Sequence, residues 1–228
     1  NNDIYHQFSK KIVQEMVEHF KNNKNVIGWQ IDNEFGGDSN EGLCYCDVCA
    51  SKFREWLQKK YKFLDNLNKE WGTIFWSQVY SNWEEIPVPR KLETAHNPSL
   101  ILDYRRFISD SYINYQELQR GIIKTFAPHQ FVTHNFMANF SGIDYYNLSE
   151  PLDFVAWDNY PKHHFVEGKS YNVSFGHDLI RGLKGKKFWV MEEQSGPSGW
   201  QCIGPTPEPG EVRLWTHQAI AHGAEGIL

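Results

Sequence analysis

The most constraining feature of the chain is Val26 to Gly37, VIGWQIDNEFGG, in which a short apolar run ends abruptly in Asp32-Asn33-Glu34 and then in Phe and two glycines. Val26, Ile27, Trp29 and Ile31 between turn signals read as a strand covered on both faces, the habit of parallel sheets. In parallel α/β folds, ligands bind at the C-terminal ends of the strands, so a Glu placed there is a catalytic candidate. Taken alone, Asp32 and Glu34 read equally well as loop charges.

A second stretch repeats this grammar. In Lys187 to Trp200, KFWVMEEQSGPSGW, a basic residue and an apolar strand lead to Glu192-Glu193 and a Gly/Pro-rich loop ending in Trp200. Two strand-end glutamates so far apart in the chain face each other only if their strands share one sheet or barrel. Such a pair can cleave a glycosidic bond, one carboxyl protonating the leaving oxygen and the other attacking the anomeric carbon or activating water.

The remaining chain alternates helix and strand. Ile4, Phe8, Ile12, Met16 and Phe20, with Val13 and Val17 beside them, predict an amphipathic helix over residues 4–22. Further helices are expected over 51–61, 64–71, 100–126, 171–183 and 211–222, and strands over 131–134, 154–157, 188–191 and 224–228. Four of the five strands deliver polar groups at their C-terminal ends: Glu34, His134-Asn135, Asp158-Asn159-Tyr160 and Glu192. His134 and Asp158 each read as a substrate contact or as a structural hydrogen-bonder. No dinucleotide fingerprint, phosphate loop or serine-nucleophile elbow interrupts the alternation. The expected fold is a (β/α)8 TIM barrel truncated at both ends, holding about strands 4 to 8 in one partial catalytic domain over 1–228. Half a closed barrel leaves two open sheet edges, so the segment is expected to be unstable by itself.

An excursion of some sixty residues follows Glu34 and carries Cys44, Cys46 and Cys49, spaced C-x-C-x2-C. This is a Cys-rich loop insertion at about 38–60, and three close thiols suit tetrahedral zinc, which takes four protein ligands when structural. Cys202 is the weaker candidate for the fourth ligand, and a cysteine upstream of Asn1 the stronger. Trp76, in the same excursion, reads either as a stacking platform for a sugar or as a packing aromatic.

Aromatic residues make up 15% of the 228 residues; large α/β cores also use aromatics, and the excess weakly favours a carbohydrate ligand, since flat rings cover the apolar faces of pyranoses in sugar clefts. The net charge of −5 and the lack of a basic run exclude nucleic acid as an expected partner, and no apolar run approaches a membrane span.

Asn33-Glu34 ending a fourth strand and a Glu ending a seventh resemble the retaining glycosidases of the large (β/α)8 clan. Within it, WQIDNEFG, the C-x-C-x2-C ten residues later, WGTIFWSQVY, WDNYP, VMEEQSGPSGW and HGAEGI resemble glycoside hydrolase family 42, whose members are β-galactosidases. The resemblance implies a retaining β-galactosidase with Glu34 as acid/base and Glu192 as nucleophile. It implies Asn33 bonding the sugar 2-hydroxyl, with Trp76, Tyr160 and Trp200 at the galactoside. It further implies structural zinc on Cys44, Cys46 and Cys49, no redox cofactor and a homotrimer common among relatives; reduced thiols favour the cytoplasm. Two features depart from the pattern: Gly199 stands where the family commonly has Asn, and Glu193 doubles the carboxylate. Alternation along a strand turns Glu192 and Glu193 to opposite faces, and Glu192 is preferred. The alternatives are a non-catalytic galactoside-binding relative, a retaining glycosidase for a β-fucoside or α-L-arabinopyranoside, and a zinc-dependent interaction module.

Overall fold

The structure, a computed structural model, describes residues 1–37, 41–164, 170–198 and 204–228. It opens with α1 (Asp3–Phe20), capped by the Asn2 side chain, and leads through a short turn into β1 (Gly28–Gln30). The excursion carries α2 (Asp47–Tyr61) and α3 (Leu64–Trp71), then two single 3-10 turns. The long α4 (Pro98–Phe126) follows, with Pro98 at its first position and Asn97 as cap, and leads to β2 (Phe131–Thr133) and β3 (Asn135–Phe136). After these come α5 (Tyr145–Ser149), β4 (Ala156–Asn159), α6 (Pro161–His164), α7 (Ser170–Lys184), β5 (Phe188–Glu193), α8 (Glu211–Ala221) and β6 (Ala224–Ile227).

All pairings are parallel and follow chain order: β1 lies on β2, and β3, β4, β5 and β6 lie side by side. β2 and β3 are halves of one strand broken at His134, so the five expected strands form one consecutive array with helical crossovers between neighbours. A doubly wound sheet reverses strand order at a switch point; this array never does, which is the order of a barrel sector.

The sheet's core combines Ile31, Val132, Val155, Trp157, Phe188 and Val190 with residues of the covering helices. Trp157 shows how tightly strand and helix approach: a Cβ on Gly176 of α7 would sit 2.6 Å from its ring. Odd-numbered residues of β4 therefore face the helices, and Asp158 faces the barrel centre.

The excursion carries the two expected helices and builds a core of its own. Phe53, Leu57, Leu67, Trp71, Ile86, Tyr104 and Phe107 form a second core, in which α2 and α3 pack on the first half of α4. A buried ion cluster ties it together: Asp103 accepts from Lys60 at 2.5 Å, from Tyr61 at 2.6 Å and from Trp71 at 3.1 Å. Conversely, the apolar stripe of α1 points largely outward. Val17 is buried, whereas Ile4, Phe8, Ile12 and Met16 are exposed. No helix among the described residues is long and apolar enough to cross a membrane.

Candidate active site

Glu34 lies beyond β1 on a backbone held in an unusual shape. Asp32 and Glu34 adopt φ of 54° and 37°, and Gly36 follows at 80°. Left-handed geometry at non-glycine residues costs on the order of 1–3 kcal/mol each and persists only where the surroundings impose it. Two side chains from the β2–β3 strand impose it here.

The first is His134, whose Nδ1 donates to the Ile31 carbonyl at 2.7 Å while its Nε2 accepts from the Phe35 amide at 3.2 Å. Donating at one nitrogen and accepting at the other requires the neutral ring. Burial agrees, lowering the pKa to about 4 against the pull of the Ile31 carbonyl and of Asp32. Phe35 stacks on the imidazole at 4.2 Å. His134 is thus the structural hydrogen-bonder of the two readings offered by sequence.

The second is Asn135, which the sequence places at a strand end without giving it a role. Its Oδ1 accepts from the Glu34 amide at 3.2 Å and from Gln30 at 3.0 Å. Its Nδ2 donates to Asn33 Oδ1 at 2.9 Å and to Asp158 Oδ2 at 2.5 Å. One buried amide therefore joins three strand ends. Asn33, with its oxygen so engaged, keeps an amide nitrogen that makes no hydrogen bond among the described residues. A hint was present in the sequence: Asn occupies the same place after three successive strands, in Asp32-Asn33, His134-Asn135 and Asp158-Asn159.

β5 runs through both glutamates, two residues beyond the expected end at Met191. Its register against β4 passes from Trp157↔Val190 to Asp158↔Glu192, skipping Met191. In an unbroken ladder Met191 would face Asp158 and Glu192 would turn toward the helices. The bulge reverses this, so Glu192 shares Asp158's side and Glu193 pairs with Asn159. Tyr160 donates its hydroxyl to Glu192 Oε2 at 2.5 Å. Glu193 is held apart by Asn159 Nδ2, at 3.0 and 3.3 Å from its two oxygens. Burial pushes the Glu193 carboxyl up to about 7.

Three carboxyls therefore meet at the barrel centre: Glu34, Asp158 and Glu192. Burial raises the pKa of Glu34; a hydrogen bond from Asp158 opposes this and the charge of Glu192 adds to it. Asp158 is pushed further, to about 9, by burial and then by Glu192. Groups that must be protonated and ionised side by side near neutrality have their pKa values separated in this way. An open cleft of about 330 Å³, lined by Asn33, Glu34, Gly36, Gly37 and Tyr112, gives access to Glu34.

Trp76 makes no described contact with the carboxyl cluster. It occupies the 3-10 turn Phe75–Ser77, is 72% exposed and stacks on Phe75 at 4.7 Å. No hydrogen bond, ring contact or cavity joins it to Glu34 or Glu192 among the described residues. Trp200, Gly199 and Cys202 lie outside the described residues.

The thiol groups of Cys44, Cys46 and Cys49 lie within 4.8 Å of one another. Cys46 caps α2, where amides of Val48 and Cys49 approach its sulfur; the Cys49 amide, then the Cys44 side chain, lower its pKa. Burial pushes Cys49 up to about 12. Asn1 Nδ2 donates to Cys49 Sγ at 3.5 Å. A larger cavity of about 440 Å³, lined in part by Asn1, His6, Cys44, Cys49 and Tyr115, separates the thiols from the back of the Glu34 bend.

A family model described as beta-galactosidase, glycoside hydrolase family 42, matches residues 1–228. The chain belongs to this family. Among family relatives, Beta-galactosidase BgaA of Clostridium cellulovorans is 42% identical over 231 residues, with 100% of this chain and 34% of that protein covered. Beta-galactosidase BgaH of Haloferax lucentense is 41% identical, with coverage of 100% and 36%. The solved beta-galactosidase of the Antarctic haloarchaeon Halorubrum lacusprofundi superposes with a TM-score of 0.94 at 41% identity, over 100% of this chain and 36% of that one. The chain thus spans about a third of the length of the family members it matches, and the parallel array is a sector of their (β/α)8 barrel.

Proposed function

We propose that this chain carries the catalytic pair of a retaining β-galactosidase, with Glu192 as nucleophile and Glu34 as acid/base. The observation that supports this best is the β4–β5 bulge, which turns Glu192 toward Glu34 while Glu193 is engaged by Asn159. Similarity to named beta-galactosidases supplies the substrate class. Glu192, oriented by the Tyr160 hydroxyl, attacks the anomeric carbon, and Glu34 passes its proton to the departing glycosidic oxygen. Forming the glycosyl ester removes the Glu192 charge that helped to hold the proton on Glu34. Glu34 then ionises more readily and takes a proton from the water that hydrolyses the ester. The unengaged Asn33 amide nitrogen is suited to bind a sugar hydroxyl, and Tyr160, Trp76 and Trp200 complete the proposed contacts.

The three thiols fit zinc, which would take one ligand besides them. The metal would fix the start of α2 and the segment before it, and the chemistry requires nothing further from it. Thiolates held this way suit a reducing compartment, so we propose a cytoplasmic protein, and a homotrimer measurable by sedimentation equilibrium.

The decisive experiment incubates the full-length protein with a 2-deoxy-2-fluoro-β-galactosyl fluoride and maps the added mass by peptide sequencing. Label on Glu192 is expected. Label on Glu193 would overturn the assignment, and no label in folded, galactose-binding protein would overturn the activity.

A further inference from the structure

The third carboxyl at the barrel centre has no part in a two-carboxylate mechanism, yet it is built in with care. Asp158 is fully buried at the end of β4. Asn135 fixes one of its oxygens at 2.5 Å. The other, Oδ1, is buried with no conventional donor. The Glu34 carboxyl comes within reach of Asp158, so that the protonation of each bears on the other, and Glu192 lies directly across the β4–β5 ladder. Two carboxyls bond to one another only if one carries a proton. Because Asn135 Nδ2 donates to Oδ2, a proton on Asp158 belongs on Oδ1, the oxygen that accepts from no donor.

We propose that Asp158 is a positioning residue for acid/base catalysis: a permanently protonated carboxyl that donates to one oxygen of Glu34 and so directs Glu34's own proton to the other oxygen, toward the leaving group. The proposal rests on the reading of Glu34 as acid/base. Its chemistry balances without a further proton acceptor: Asp158 keeps its proton throughout, and only Glu34 gives up and regains one. When Glu34 becomes anionic after protonating the leaving group, the Asp158 hydroxyl stabilises that carboxylate. Both the acid and the base half-reactions therefore use the same hydrogen bond. The other ionisable groups facing this pair are Glu192 from β5, Tyr160 beyond β4 and Tyr145 of α5, whose hydroxyl accepts from the Met137 amide at 3.1 Å. None of these described groups is a cation; the Asn135 amide, which does favour an ionised Asp158, is a single neutral donor.

The test compares Asp158→Asn and Asp158→Ala in the full-length protein, reading the basic limb of the kcat/KM profile, which reports ionisation of Glu34, and the dependence on leaving group. Asn at this position accepts from Asn135 and donates an amide N–H to Glu34, reproducing a neutral donor. Asp158→Asn should therefore lose less than about tenfold in kcat and keep the limb within about half a pH unit. Asp158→Ala removes the donor, so the limb should move to higher pH, and alkyl galactosides, which need the proton, should lose about tenfold more than activated aryl galactosides. A downward move of about one pH unit or more in Asp158→Asn would show that an anion had been removed, and would overturn the proposal. So would an Asp158→Ala variant that slows all substrates equally with its limb in place. Should Asp158→Ala fail to fold, the limb of Asp158→Asn decides alone. Glu34→Ala serves as the separate control: if azide does not restore turnover of an activated aryl galactoside to it, the acid/base reading of Glu34 falls, independently of Asp158.

Discussion

The imidazole of His134 makes a quantitative claim on acid stability. Its Nε2 accepts from the Phe35 amide at 3.2 Å, and a proton there would set two donors against each other inside a site that is 1% exposed. The folded ring therefore resists protonation down to about pH 4, whereas an unfolded His titrates at 6.5. Above pH 6.5 the ring is neutral in both states and contributes no pH dependence. Between 6.5 and 4 only the unfolded chain takes up the proton, so stability falls as pH falls, by about 3 kcal/mol in all at about 1.36 kcal/mol per decade. That is a large share of a typical total of about 5–15 kcal/mol. The comparison to make is with His134→Gln, an amide that can still donate to Ile31 and accept from Phe35 but does not titrate. At pH 7 the variant should be less stable by about 1–2 kcal/mol, through imperfect packing against Phe35. Its acid slope should be shallower, so that the two stability curves, taken from urea midpoints, cross near about pH 5. His177, also buried neutral with a pKa near 4, titrates equally in both proteins and cancels from the difference. Parallel curves from pH 7 to 4 would refute the claim that His134 is held neutral.

Two further outcomes follow from the same geometry. Asn135→Ala strips partners from the buried Asp158 Oδ2 and from the Glu34 amide, and at about 1–3 kcal/mol per orphaned group should destabilise by about 2–5 kcal/mol, with kcat falling more than about a hundredfold; a loss below about 1 kcal/mol by urea denaturation would contradict the hub role. Cys46→Ser should lower bound zinc, measured by atomic absorption, together with the thermal midpoint, while covalent labelling of Glu192 persists; loss of labelling in folded protein would tie the thiols to the chemistry.

What sequence could reveal was the alternation of elements and the places where each apolar run ended in polar residues, because a strand buried on both faces must be apolar and a barrel's chemistry must sit at its strand ends. Boundaries drifted in a consistent direction. β4 was expected over 154–157 and occupies 156–159, and β5 was expected to stop at Met191 and runs to Glu193. In both cases the carboxylates and amides that look like loop are the last residues of the strand, with Asp158 and Glu192 turned into the barrel centre and Asn159 and Glu193 to the other face. α1 shows the converse. Its four-residue apolar spacing predicted a buried face, and the helix formed, but Val13 and Val17 pack on the core while Ile4, Phe8, Ile12 and Met16 are left on the outer side. Periodicity shows that a face exists and cannot say what lies against it.

The division of labour between Glu192 and Glu193 turns on one skipped residue. Strand alternation alone correctly sends the adjacent glutamates to opposite faces, but it does not say which face is which. Counted from the helix-packed Trp157 and Val190 without a break, the inward residue would be Met191. The bulge moves that position by one and gives Glu192 the inward place, opposite Asp158 and under the Tyr160 hydroxyl, while Glu193 keeps a half-buried, Asn159-bonded carboxyl on the other face. Bulges recur where a side chain must be re-aimed next to an active site, and a local irregularity of this kind leaves no trace in composition or period. For the same reason the Asn135 hub escaped notice: its weight comes from the meeting of Asn33, Glu34 and Asp158 around one amide, a coincidence of three strand ends that exists only once the strands are aligned.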